Sequence, residues 1–263
     1  MKNAIALRPT YWASVSGGKD SLYMLKVILS NLEKYPLDGV VHFELEIDYP
    51  FIKNVIDYME AECKKYGIRF VRIKPRKTWQ ELYEKYGFPS RTRRWCNSQY
   101  KLDAKRQLHN FMKELGYSVV TYIGYCKDEV TRYSGRSVLF ERYPLVEEGI
   151  NEDAILEWAR DVPIFNDFYK YNRRCGCMYC PLSSYTELAY LCKYYPESYE
   201  SMIKMMKDTE IKDALKYKDK GYSKPFTIRG PGITAEYVDW IVKKKYLPKL
   251  ERGRMRAKKL IDM

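Results

Sequence analysis

Histidine is nearly absent from this 263-residue chain, which carries two, and no apolar run approaches the ~18–20 residues that a membrane span requires. His42 falls in a strand-like segment and His109 in a helix-like one, each isolated, so neither reads as a catalytic base or a metal ligand. The first eleven residues lack the basic start, apolar stretch and small-residue cleavage site of a secretory signal. The expectation is a cytoplasmic protein in a reducing compartment, without a membrane partner. Flexible Ser/Gly linkers, internal repeats and low-complexity tracts are missing too. Hydrophobic residues at 46% and charged residues at 31% lie in the globular range, and the length suffices for a sizeable core.

What the chain does have is thiol and positive charge. Three of its seven cysteines fall within residues 175–180, a density that in a reducing compartment indicates metal or redox ligands rather than disulfides. The formal net charge is +13, and residues 89–106 (net +5) and 240–263 (net +7) hold nearly all of the excess. Such localised charge suits phosphates, as nucleotide or as nucleic acid, although lysine-rich helices are also commonly plain solvated faces.

Apolar spacing organises the chain. Residues 11–15 read as a strand, 21–32 as a helix, 40–47 as a strand, 50–66 as a helix and 69–73 as a third strand. Helices over 78–86 and 101–115 and a strand over 118–124 follow. This alternation predicts an α/β fold with a parallel sheet, helices on both faces and a ligand at the carboxyl ends of the strands. Beyond Pro144 no strand periodicity remains, and 151–161, 185–206 and 235–245 read as helical. The predicted division is a nucleotide-binding α/β domain over 1–165 and a closely packed helical region with the cysteine cluster and basic tail over 166–263.

The turn between the first strand and helix reads Ser16, Gly17, Gly18, Lys19, Asp20, Ser21. Adjacent glycines let the backbone approach phosphate oxygens without a Cβ clash, and the helix that follows aims its free amides at the anion. The serines would add hydroxyl donors and Lys19 charge. The spacing does not satisfy the Walker A pattern, so this is a different phosphate cradle.

With this loop, the RWCNSQYK segment at 94–101, GYCKDEVTR at 124–132 followed by YPL at 143–145, and CGCMYCPL at 175–182, the chain resembles the PP-loop ATP pyrophosphatase superfamily. Within it the likeness is to the phosphoadenosine phosphosulfate reductase family and its phosphorothioation relatives. The resemblance covers the chain to about residue 190. It implies an adenine nucleotide alpha hydrolase-like fold, with Ser16, Gly17, Gly18, Lys19, Asp20 and Ser21 on the phosphates of ATP or a related adenine nucleotide. Lys19 and Asp20 would be the catalytic pair, with Asp20 orienting Mg2+, and Gly124, Glu129 and Arg132 would line the far side of the pocket. Where the family usually has an arginine two positions after that glycine, Cys126 stands here, which removes a bidentate partner for a sulfonucleotide.

Cys175, Cys177 and Cys180 form CxCxxC, and the resemblance brings Cys96 toward the same pocket. Four thiolates can hold zinc or a [4Fe–4S] cluster, and spacing alone does not separate the two. The resemblance implies the cluster. Cys63 and Cys192 read as small buried hydrophobes, and Cys126 is undecided. Arg91, Arg93 and Arg94 with Lys101 form a basic loop that could fasten a nucleotide's phosphates or a nucleic-acid backbone. The expected function is activation of the ATP α-phosphate coupled to sulfur transfer, with nucleic acid as the candidate acceptor and a sulfur-donor protein as a further candidate partner. The alternatives are a sulfonucleotide reductase, whose relatives carry a cysteine in a C-terminal tail whereas the last cysteine here is Cys192, and a non-catalytic nucleotide- or nucleic-acid-binding subunit.

Overall fold

The computed structural model describes residues 7–135, 139–218, 229–230 and 233–253. The part of the basic tail over 254–263 lies outside the described residues. Strand β1 (Arg8–Val15) leads into helix α1 (Lys19–Ser30), and β2 (Gly39–Phe43), α2 (Pro50–Lys65) and β3 (Arg69–Ile73) follow. Next come α3 (Trp79–Tyr86), a π-helical turn over Cys96–Lys101, α4 (Leu102–Glu114) and β4 (Tyr117–Tyr122). The short elements α5 (Val130–Tyr133), β5 (Glu141–Arg142) and α6 (Pro144–Glu147) precede α7 (Glu152–Arg160), a 3-10 turn at Pro163–Phe165 and α8 (Phe168–Tyr171). The chain continues as α9 (Tyr185–Tyr194), α10 (Pro196–Lys218), α11 (Ala235–Ile241), a π turn over Val242–Tyr246 and α12 (Leu247–Glu251).

The five strands form one parallel sheet in the order β3-β2-β1-β4-β5. Because β1 pairs with both β2 and β4, successive crossovers leave it in opposite directions, and the crevice at the carboxyl ends of β1 and β4 is where such sheets bind ligands. Alternation along the strands sends Trp12, Val41 and Val119 to one face, where Leu108 and Met112 of α4 cover them. Ala13, Val15, Val40 and Tyr122 face the other side, against Leu22, Leu25 and Ile28 of α1 and Val55 and Met59 of α2. Helices thus cover both faces.

That second core does not stop at the sheet. It continues through Phe165, Phe168, Tyr169, Leu188 and Tyr190 to Val242 and Leu250, so the helical region shares one apolar interior with the α/β part. Capping boxes fix two helix starts, Thr78 with Glu81 and Ser184 with Glu187. The latter orients the helix that follows the cysteine segment. Among the described residues no helix is long and apolar enough to cross a membrane.

Candidate nucleotide and thiol site

At the end of β1 the chain turns through Ser16, Gly17 and Gly18. Gly17 has φ +78°, and a side chain on it would meet Ile52 Cγ2 at 2.7 Å, so only glycine fits between this turn and α2. The serines brace the loop internally. Ser16 N–H donates to Ser21 Oγ at 3.2 Å, Ser21 Oγ donates to Gly18 O at 2.9 Å, and Gly18 N–H reaches Ser16 Oγ at 3.4 Å. Both hydroxyls thus help to hold the turn's shape. At the start of α1 the Lys19 amide donates to the hydroxyl of Tyr169 at 2.8 Å.

The largest departure from expectation is the Lys19 side chain. It is fully buried, with Nζ 2.7 Å from Asp20 Oδ1 and 3.2 Å from Glu152 Oε1. Burial pulls its pKa down, but the two carboxylates outweigh that and hold it above the ordinary value. Burial in turn raises the Asp20 carboxyl against the opposing pull of Lys19. The ammonium does not project into the crevice as a free phosphate ligand, because a cation at this depth needs counter-ions of its own. Glu152 also accepts from Arg173 Nη2 at 3.1 Å, and Arg173 reaches Asp153 at 2.8 Å, two residues before Cys175. A chain of charges thus links the glycine turn to the cysteine segment.

Across the switch point the loop after β4 presses on α1. Were Gly124 to carry a Cβ, that atom would lie 2.9 Å from Asp20 O and 3.3 Å from Ser21 N. Cys126 is buried with Sγ 3.7 Å from Asp20 Oδ1, its amide donates to Glu129 at 3.0 Å, and Glu129 in turn binds Arg132. Arg132 also lies over the ring of Tyr125 at 4.4 Å. Gly124, Cys126, Glu129 and Arg132 are therefore gathered around Asp20. Burial pushes the Cys126 thiol well up, so it is a protonated neighbour rather than a thiolate.

Beside the turn lies a cavity of about 130 Å³ lined by Ser14, Ser16, His42, Asp48, Lys101 and Cys175, among others. His42 Nδ1 sits 3.0 Å from Val15 O, and burial lowers the ring's pKa, so the neutral form with Nδ1–H donating is favoured. Burial raises Asp48 to about 6 against the pull of Lys101. Neighbouring Cys177, with Asp48, Cys180 and Cys96, raises Lys101, outweighing burial.

Cys96, Cys177 and Cys180 thus share the surroundings of one ammonium. Cys177 and Cys180 are close neighbours, and their contact holds the Cys180 thiol below its ordinary value and the Cys177 thiol above it. Cys175 lies against Gly18, its Cβ 3.9 Å from where a side chain at that glycine would begin. The four cysteines are neighbours and their soft donor set fits a thiolate-bound metal group. Their side chains are nonetheless not drawn to one centre: among the described residues no group of three or more His, Cys, Asp or Glu is arranged to hold a metal ion.

In the basic loop Arg93 is a strut, 2.7 Å from Asp213 of α10, while Arg91 and Arg94 are exposed. Sequence reasoning missed Glu152, Tyr169 and Asp48. No motif marks them, and each reaches the site only through the folding of a later or looping segment.

Residues 10–187 match the family model described as the phosphoadenosine phosphosulfate reductase domain. Over 212 residues the chain is 31% identical to an uncharacterized protein of Methanocaldococcus jannaschii, a match that covers 74% of this chain and 47% of that protein. The chain thus spans about half the length of the curated relative it matches. Among solved structures it is similar to the U34-tRNA thiolase NcsA from Methanococcus maripaludis with its [4Fe-4S] cluster, at 18% identity and a TM-score of 0.37, covering 78% of this chain and 72% of that one. It is also similar to phosphoadenylyl-sulfate reductase from Candida auris in a phosphate complex, at 14% identity and a TM-score of 0.38, covering 66% of this chain and 84% of that one.

Proposed function

The chain belongs to the phosphoadenosine phosphosulfate reductase domain family, and from that premise we propose that it is a cytoplasmic enzyme that activates the α-phosphate of ATP for sulfur transfer to a nucleic acid. The observation that carries this reading is one cavity lined by Val15 and Ser16, where β1 enters the glycine turn, and by Cys175 and Cys177, with Cys175 also lying against Gly18. A phosphate cradle and sulfur ligands that share a cavity suit a reaction in which activation and sulfur delivery occur in one place.

In this reading the amides of Gly17 and Gly18 and the opening of α1 orient the phosphates, Asp20 is the residue that would hold Mg2+, and Arg132 with Glu129 bounds the opposite wall. An oxygen of the acceptor attacks the α-phosphorus and pyrophosphate leaves. A sulfur nucleophile then displaces AMP from the adenylylated acceptor. Positioning and charge neutralisation suffice for both displacements, so a strong general base is unnecessary. Lys19 acts from below, fixing Asp20 and Glu152 rather than touching the leaving group. Cys96, Cys175, Cys177 and Cys180 would hold a [4Fe–4S] cluster or zinc, and such a group would supply sulfur binding or structural cross-linking respectively.

The test is pyrophosphate release from ATP with Mg2+, measured with and without added RNA or DNA. Release stimulated by nucleic acid supports the proposal. Consumption of adenosine phosphosulfate without pyrophosphate release would replace it with a reductase, and nucleotide binding with neither reaction would leave a non-catalytic subunit.

A further inference from the structure

Glu152 opens α7, and three segments of the site meet on it. Its amide donates to Asp128 Oδ1 in the loop after β4 at 3.0 Å, which ties the backbone here to the far wall of the crevice. Its carboxylate is divided between two cations from opposite ends of the site. Oε1 lies 3.2 Å from Lys19 Nζ at the glycine turn, and Oε2 lies 3.1 Å from Arg173 Nη2, two residues before Cys175. Lys19 also holds Asp20 Oδ1 at 2.7 Å and Arg173 holds Asp153 Oδ1 at 2.8 Å, so five charges form one run from the first turn of α1 to the cysteine segment. In the reaction proposed above Asp20 and the cysteines act at the two ends, and Glu152 lies between them.

The run is shielded. Side-chain exposure is 1% for Lys19, 17% for Glu152 and 16% for Arg173, so a change of charge at one member is little screened before it reaches the next. Ile155, Leu156 and Ala159 bury the inner face of α7, and with the Asp128 contact they fix the Glu152 backbone and leave the side chain as the part that can turn. The two oxygens of a carboxylate turn together. Were the charge of Asp20 removed, Lys19 would lean on its other carboxylate, Glu152, and drawing Oε1 closer would swing Oε2 away from Arg173. A second connection runs through the backbone, where Tyr169 accepts from the Lys19 amide and Cys175 lies against Gly18. That route is indifferent to the charge of Asp20.

We infer that Glu152 is a positioning residue that transmits the charge state of Asp20 to the segment carrying Cys175, through Lys19 on one side and Arg173 on the other. A ligand that neutralises Asp20 at the glycine turn thereby loosens the approach to Cys175, which orders sulfur delivery after activation. The inference rests on the function proposed above for its purpose. Its test needs neither nucleotide nor metal, so failure of the relay is read separately from failure of ATP binding.

The experiment is amide hydrogen exchange of the full chain, followed by mass spectrometry on peptides spanning residues 170–177, in the unmodified protein, Asp20→Asn, Glu152→Gln and the double variant. Asp20→Asn should speed exchange in this segment by about threefold or more, and it should add nothing in the Glu152→Gln background. A residue that only braced the fold would loosen the segment by itself and leave the effect of Asp20→Asn intact. The same factor in both backgrounds therefore overturns the relay and points to the backbone route, and unchanged exchange in Asp20→Asn overturns it outright. If Glu152→Gln lacks a cooperative melting transition, Arg173→Met takes its place, because it keeps the Lys19–Glu152 pair and cuts the relay at its second half. Asp20→Asn should then add nothing in the Arg173→Met background, and an undiminished effect there overturns the inference equally.

Discussion

Gly124 lies so close to Asp20 that a Cβ added to it would sit 2.9 Å from the Asp20 carbonyl oxygen. That oxygen belongs to the backbone of the first turn of α1, so it cannot swing aside as a flexible side chain would. The β4 loop and the glycine turn are in effect two walls of one crevice held at glycine thickness.

Gly124→Ala should therefore separate the two walls. The expected outcome is a loss of about 1–3 kcal/mol of stability in urea unfolding, from overpacking, together with weaker ATP binding by calorimetry. Wild-type stability and affinity in this variant would show that the walls can part without consequence.

Lys19→Met tests the buried charge cluster. Removing the ammonium leaves Asp20 and Glu152 facing each other, and breaking a buried pair in this way typically costs about 3–5 kcal/mol. Equilibrium unfolding of Lys19→Met beside Lys19→Met/Glu152→Gln should show partial recovery in the double variant. Additive losses would refute coupling between these groups.

Asp20→Asn keeps a polar group of similar size beside Lys19, which retains Glu152. Pyrophosphate release should fall below detection while the circular dichroism spectrum and melting transition persist. Retained turnover would remove Asp20 from the catalytic residues.

The histidines set a pH dependence. Burial lowers the pKa of both His42 and His109, so the unfolded chain binds protons more readily than the folded one near the ordinary histidine value of 6.5. Stability contributed by the neutral rings is complete above that pH and is lost progressively as the pH falls through it. Asp48, held up at about 6, takes up its proton more readily folded than unfolded and acts in the opposite sense. Urea unfolding between pH 7.5 and 5.5, on the order of one unit to each side of the histidine value, should therefore show the histidine contribution as a difference, His42→Gln losing less stability than the unmodified protein as the pH falls. An equal slope in the variant would show that His42 takes up its proton as easily folded as unfolded.

Much of the fold was legible from periodicity. The strand read at 11–15 lies within β1, those at 69–73 and 118–124 coincide with or overlap β3 and β4, and the helix read over 78–86 matches α3 with its Thr78 cap. The strand read at 40–47 ends at Phe43, and the segment that follows leaves the sheet and brings Leu45 and Asp48 to the cavity. The two-residue strand β5 is too short to produce a period. The helices read at 101–115 and 235–245 are each joined to a π-helical turn, which shifts the register of side chains that a 3.6-residue pattern assumes.

For the site, the sequence by itself determined which groups exist: two glycines without Cβ at the end of a strand, a helix opening behind them, and thiols at CxCxxC spacing. These are local properties, set by backbone sterics and by residues within a few positions of one another. Only the tertiary structure decided what each group faces. Lys19 is held beneath the turn because Glu152, 133 residues away, reaches it, and the Lys19 amide is met by Tyr169, 150 residues away. Counter-charge and hydrogen-bond partners for buried polar groups come from whatever the fold brings near, and that pairing across long separations leaves no period or spacing in the sequence to read.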